Sequence, residues 1–457
     1  MVTDSTHSLL STLFSTPEMD HVFSDAEQVQ HMLRFEWALS AALEDCQLAS
    51  AHSADPLLKL LATPFLTSDR ADILRQAAAS AGNIAIPFVK LLTATVAEQN
   101  PESASFIHTG ATSQDVLDTA LVLQLRAGLA LLRADLHNTT SRCISLASEH
   151  AGTILAGRTW LQQGPPVTLG LKFAGYAAAL SRHEQRLNES ETRAVQLQFG
   201  GAVGTLASLR GNGLRVSAAL AKRLELPEPS LPWHAHRDNL GEVAAVLGLL
   251  TGTLGKMARD LSLAMQTEVG ELFEPAGVGR GSSSTMPHKR NPVGCAVVLS
   301  AAQRVPSLVA TILSAMPQEH ERGLGGWHAE WETLPEIFRL TAGALCQMRQ
   351  IVDGLEVDAA RMAANVEMTH GLVLAESVGA ALAEHTGRLA AHKIVEEASR
   401  RAVAEKRTLL SVLTEMPAVT EHLSLERLQQ LLDPASYLGS AKQMIERTLK
   451  SFKETGG

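Results

Sequence analysis

Leu117, Leu121, Leu125, Leu129, Leu132 and Leu136 recur at steps of four, four, four, three and four. That spacing follows the turn of a helix and not the alternation of a strand. No proline falls between Pro101 and Pro165, so the pattern predicts one amphipathic helix over residues 113–151. At about 1.5 Å per residue it would reach roughly 60 Å, which suggests a bundle shared between subunits. The same periodicity predicts helices over 166–199, 237–273, 292–316 and 332–352, separated by Gly- and Pro-rich breaks. Residues 1–111 and 356–457 are also helix-patterned, in shorter pieces. The expected fold class is all-α with a central bundle over 112–355. Two breaks, 200–204 and 277–284, are runs of small residues that composition alone reads as loops.

Composition narrows the function classes. The 457 residues carry 39 Lys+Arg against 48 Asp+Glu, a formal charge of −9, which disfavours nucleic acid or an anionic membrane as partner. With 45% apolar and 19% charged residues the chain is no disordered segment, and at 4% aromatic content Leu and Ala must fill the core. Cys46, Cys143, Cys295 and Cys346 form no CxxC pair and no secreted-type framework, so a reducing cytoplasm is expected. The first residues lack a basic region leading into a long apolar one. No uninterrupted apolar run approaches the roughly 18 residues of a membrane span, so a soluble protein is expected.

Three loops concentrate chemistry. Ser283-Ser284-Thr285-Met286-Pro287-His288-Lys289-Arg290-Asn291-Pro292 gathers hydroxyls, cations and an amide. It reads as an anion-binding loop, with Pro292 opening a helix whose free N–H groups favour a carboxylate. The GxxxxGK[ST] spacing of a nucleotide-phosphate loop is absent. His108-Thr109-Gly110-Ala111-Thr112-Ser113-Gln114-Asp115 precedes the long helix. Thr112 with Asp115 reads as a helix cap, while His108, Ser113 and Gln114 add a ligand-binding reading. Gly157-Arg158-Thr159-Trp160-Leu161-Gln162-Gln163-Gly164-Pro165-Pro166 reads as a polar loop at a helix entrance, or as a turn around a packed Trp. His234-Ala235-His236 lacks the neighbours that complete a metal shell, so no metal and no cofactor are expected. No GxSxG elbow surrounds Ser283, which argues against a hydrolase triad.

Together these loops resemble the fumarase/aspartase superfamily, whose GSxxMPxKxN signature is matched by Ser283, Met286, Pro287, Lys289 and Asn291. One departure is Ser282 where a glycine is expected, with Gly281 one place earlier. The similarity also covers Phe23-Ser24-Asp25, Phe35-Glu36-Trp37-Ala38-Leu39, the 108–115 loop, 157–170 and 200–205. The resemblance implies three helical domains, 1–111, 112–355 and 356–457. It also implies a homotetramer with each active site drawn from three chains, and proton abstraction beside a carboxylate through an aci-carboxylate. By motif the catalytic roles fall to Ser283 and Lys289. Substrate binding falls to His108, Thr112, Ser113, Arg158, Thr159, Trp160, Gln163, Met286, His288 and Asn291.

Trp160 stands where many of these lyases carry a histidine that protonates the leaving group. An indole N–H donates a hydrogen bond but exchanges no proton near pH 7. A carboxylate, with a conjugate-acid pKa of about 4, leaves without such help, whereas an amine or hydroxide does not. The resemblance therefore implies a lactone-forming branch. In it one carboxylate of a small tricarboxylate diene adds to the same molecule, with Arg158, Lys289 and His288 as the cations that bind it. An adenylosuccinate lyase-type β-elimination and a silent structural tetramer are the alternatives.

Overall fold

A computed structural model describes residues 9–277, 281, 286 and 289–454. The elements used below are α1 (Asp25–Asp45), α2 (Ser113–Glu149), β1 (Ile154–Thr159), β2 (Gln162–Thr168), α3 (Leu169–Ala194), α4 (Asp238–Ala264), α5 (Val293–Ala315) and α6 (Gly326–Asp353). Shorter helices make up most of the remainder, and the described strands form two small antiparallel pairs. The all-α class expected from periodicity is what the chain adopts.

The leucine ladder explains α2. Leu117, Leu125, Leu129, Leu132 and Leu136 are buried, each contributing roughly 1.5–3 kcal/mol by leaving water. Leu121 is half-buried. At the helix start the Asp115 carboxylate reaches back to the Thr112 N–H at 3.0 Å, so the expected cap is made by the acid.

The chain divides into two compact units. The first comprises Met1–Leu136, His183–Gly255 and Val297–Gln347; the second comprises His137–Arg182, Lys256–Ala296 and Met348–Gly457. In the first unit α1 is buried along Val29, Met32, Leu33, Phe35 and Leu39. In the second, Val378, Leu382, Leu409, Val412 and Leu428 form a core beneath the short C-terminal helices.

Residues 157–166 differ from the loop expected of them. They lie in an antiparallel hairpin of β1 and β2 that pairs Leu155 with Val167 and Thr159 with Gln162, with an irregularity at Gly157. A Cβ at Gly157 would sit 2.6 Å from the Pro165 carbonyl oxygen, so only glycine fits there. Pro165 and Pro166 also block a helix, which is why α3 starts at Leu169 rather than at 166. The hairpin was hard to foresee because its two-residue turn is Trp160-Leu161, both at positive φ (54° and 65°), where Asn-Gly is the usual signal.

Helix α6 begins at Gly326, six positions earlier than expected, and carries Pro335 inside it. Helices α4 and α5 are long and apolar enough to cross a membrane by length and composition alone. Gln303 and Arg304 interrupt the apolar run of α5. Within the chain, 61% of the most apolar window of α4 is buried, but only 28% of that of α5.

Candidate active site

In the first unit the turn before α2 is built around Asp115, which is fully buried. Its Oδ1 accepts from Gly200 N–H (3.0 Å) and faces His234 Nε2 at 2.6 Å. Its Oδ2 accepts from Thr112 N–H (3.0 Å) and Gly201 N–H (2.9 Å). One carboxylate thus ties together the 112 turn, the glycine loop at 200–201 and the 234 segment. A buried charge this well surrounded is stable where an unpaired one would not be. His234 is thereby committed to Asp115.

Gln114 and Arg322 complete the wiring. Gln114 Nε2 donates to the His234 carbonyl (2.9 Å), and its Oε1 accepts from Arg322 Nη1 (2.8 Å). Arg322 Nη2 also donates to the carbonyls of Gly201 (3.2 Å) and Ala202 (2.7 Å). Arg322 is therefore a clamp on the loops and not a loose surface charge. Below it, Arg237 is buried between Asp118 and Glu330 and stacks on Trp233, holding the 233–237 segment. Sequence reasoning did not single out Arg237, Asp118 or Glu330 as supports, because each partner lies about a hundred positions away.

Against this committed framework some polar groups are left over. The hydroxyls of Thr112 and Ser113 and the Nε2 of His108 have no partner among the described residues, and all three residues are half-buried. His108 Nδ1 lies 2.7 Å from the buried carboxylate of Glu36, which also accepts the His108 backbone N–H at 2.8 Å. The helix start thus offers donors to an anion. A separate cavity of about 860 Å³ in this unit is lined by Leu117, Leu121, Gln124, Trp327, Trp331 and Arg339 among others, and by none of these three donors.

The second unit holds the hairpin and the described parts of the 277–292 loop. Arg158 makes a bidentate pair with buried Glu271 (2.9 and 2.6 Å), whose Oε1 also accepts from Asn365 Nδ2 (2.8 Å). Its charge is met inside the unit. Thr159 is exposed, and Trp160 at the hairpin tip is 97% exposed rather than packed. Gln163 Oε1 is buried with no partner among the described residues.

Of the loop residues, Ser283 and His288 lie outside the described residues. Met286 is exposed, and Lys289 carries an exposed ammonium with no ion pair among the described residues. Asn291 N–H donates to the Gly281 carbonyl (3.0 Å). Gly281 has φ 66° and its Cβ position is 2.6 Å from the Asn291 carbonyl oxygen, so the glycine this turn requires is present, one place earlier than the signature has it. Arg290 is bidentate to Glu356 (2.7 and 2.8 Å), stacks on Phe273 and donates to the Glu274 carbonyl, which fixes the loop at its far end.

The N-terminus of α5, expected from the sequence to favour a carboxylate of a ligand, is occupied by Glu274: its oxygens accept from Gly294 N–H (3.0 Å) and Cys295 N–H (2.8 Å). The helix dipole attracts an anion as expected, and the chain supplies that anion itself.

A family profile described as Lyase matches residues 65–307, and one described as Adenylosuccinate lyase C-terminus matches 371–448. The chain belongs to this lyase family, the fumarase/aspartase group that its loops resemble. Within it, the chain is 52% identical over 453 residues to 3-carboxy-cis,cis-muconate cycloisomerase of Pseudomonas aeruginosa, covering 98% of this chain and 97% of that one. The crystal structure of 3-carboxy-cis,cis-muconate lactonizing enzyme from Pseudomonas putida superposes with a TM-score of 0.94 at 49% identity, covering 99% and 100% of the two chains. That of β-carboxy-cis,cis-muconate cycloisomerase from Acinetobacter calcoaceticus gives 0.92 at 43% identity, covering 97% and 100%.

Proposed function

We propose that this chain is a cycloisomerase that interconverts 3-carboxy-cis,cis-muconate and 4-carboxymuconolactone. The carrying observation is Trp160, an indole at the position where related lyases use an acid for the leaving group. In the lactonising direction a carboxylate oxygen adds to a diene carbon of the same molecule. The displaced electron pair moves into a second carboxylate, which holds it as the aci form, and a proton then goes to the neighbouring carbon. Nothing is expelled and no external nucleophile enters. In the reverse direction the ring carboxylate departs as a stable anion, which an indole neighbour permits.

Ser283 and Lys289 carry the proton, with Ser283 the first choice for the transfer to carbon. Lys289 and His288 supply positive charge, and Asn291, Thr159, Gln163 and the Glu271-paired Arg158 supply hydrogen bonds. Met286 and Trp160 wall the diene. His108, Thr112 and Ser113, whose donors are unspent in the first unit, receive another carboxylate of the substrate.

The working form is a cytoplasmic homotetramer whose sites draw on three chains. Two features support this reading: the apolar surface of α5, little of it covered within one chain, and the bare Trp160 tip. The test is spectrophotometric: purified enzyme should consume the absorbance of 3-carboxy-cis,cis-muconate and accumulate the lactone. Turnover of adenylosuccinate with no loss of the diene would overturn the assignment.

A further inference from the structure

Glu36 sits on α1, fully buried, and its carboxylate is spent on a residue 72 positions away. Oε2 accepts the His108 backbone N–H at 2.8 Å and Oε1 lies 2.7 Å from Nδ1 of the same residue. His108 is held at φ 62°, a left-handed conformation that a non-glycine residue keeps only when its surroundings impose it. Gripping backbone and ring together, Glu36 does that imposing. It leaves the far edge of the ring, with a side chain 22% exposed, turned away from the core. Four and five positions on stand the uncommitted hydroxyls of Thr112 and Ser113.

The charges around the ring are few. Burial by itself lowers the imidazole pKa, but the hydrogen bond and charge of Glu36, joined by Asp115 at the start of α2, outweigh it and raise it above the ordinary value. Asp115 is already met by three backbone N–H groups and His234, so Glu36 is the decisive neighbour.

We propose, resting on the lactonising reading above, that Glu36 is a positioning residue for substrate binding: it fixes His108 as an imidazolium whose Nε2–H is offered, beside the Thr112 and Ser113 hydroxyls, to one substrate carboxylate. Glu36 itself touches no substrate. Because the folded pKa of His108 is raised, the cation is present below that pKa and is lost as pH rises through it. KM for the tricarboxylate should therefore climb on the alkaline side while kcat changes little.

The test is the pH dependence of KM and kcat for 3-carboxy-cis,cis-muconate in the full-length enzyme and its Glu36→Gln variant. Glu36→Gln should move the alkaline rise of KM to lower pH by at least about one unit. In the pH range where the unaltered enzyme still holds the cation and the variant has lost it, the variant's KM should be about tenfold higher, the loss of one charge-assisted hydrogen bond, with kcat nearly unchanged. Glu36→Asp, which keeps the charge, should bring the rise back towards its original pH. A folded Glu36→Gln enzyme whose KM profile does not move, or whose kcat falls at every pH with KM constant, overturns the proposal. Should Glu36→Gln not fold, the double variant Glu36→Gln/His108→Asn removes both charges together, and an alkaline KM rise that persists in it is equally fatal. Failure of the lactonising reading shows separately, as absence of diene turnover by the unaltered enzyme. In that event calorimetry with propane-1,2,3-tricarboxylate decides: affinity that falls with pH and is weakened by Glu36→Gln keeps the role of Glu36, and equal affinity in the two proteins removes it.

Discussion

The turn before α2 and the hairpin tip are both named by the sequence as substrate-binding, yet they are built on opposite terms. The Asp115 carboxylate is fully paired inside its own unit, while His108 Nε2 and the hydroxyls of Thr112 and Ser113 have no partner among the described residues. At the hairpin, Trp160 and Leu161 stand in solvent, in left-handed conformations that cost roughly 1–2 kcal/mol each. The first region is finished within one chain and offers donors. The second spends backbone energy on a side chain that nothing in its own unit covers.

The comparison breaks most easily at Asp115. Asp115→Ala leaves His234 and two glycine N–H groups without their acceptor, and should cost ~3–5 kcal/mol of stability. Thermal denaturation measures it, and a loss below 1 kcal/mol would show that the turn is not held by this carboxylate. Next in size, Ser283→Ala and Lys289→Ala should each lower kcat at least ~100-fold while keeping assembly and melting temperature. Stopped-flow or steady-state assays of both check this, and unchanged rates in both would remove the loop from the chemistry. Arg290→Ala, which breaks an exposed ion pair with Glu356, should cost no more than about 1 kcal/mol in the same melting experiment. The smallest effect is expected at the tip: Trp160→His should give no gain in lactonisation, and a large gain would contradict the leaving-group argument.

Much of this was legible from local pattern. Leucine spacing predicted α2 to within two residues, since a helix that long repeats its signal many times. The loops at 108–115 and 283–292 stood out because polar residues crowd at a helix boundary. What the sequence concealed were partners far apart in the chain. Glu36 gives no local sign that it will meet His108, nor Arg237 that it will join Asp118 and Glu330. Glu274 differs: the attraction of a helix terminus for an anion is legible in the sequence, but not that the anion comes from the same chain, twenty residues upstream. The hairpin is not legible because its turn, Trp160-Leu161, lacks the usual glycine.

The bare Trp160-Leu161 pair also bears on how the protein must be made. A newly synthesised chain carries two bulky apolar side chains in water until something covers them, and crowded chains in that condition stick to one another indiscriminately. If the tip is covered in the homotetramer proposed above, yield on overexpression should depend on how fast subunits find each other, with slow induction and low temperature favouring soluble product over precipitate.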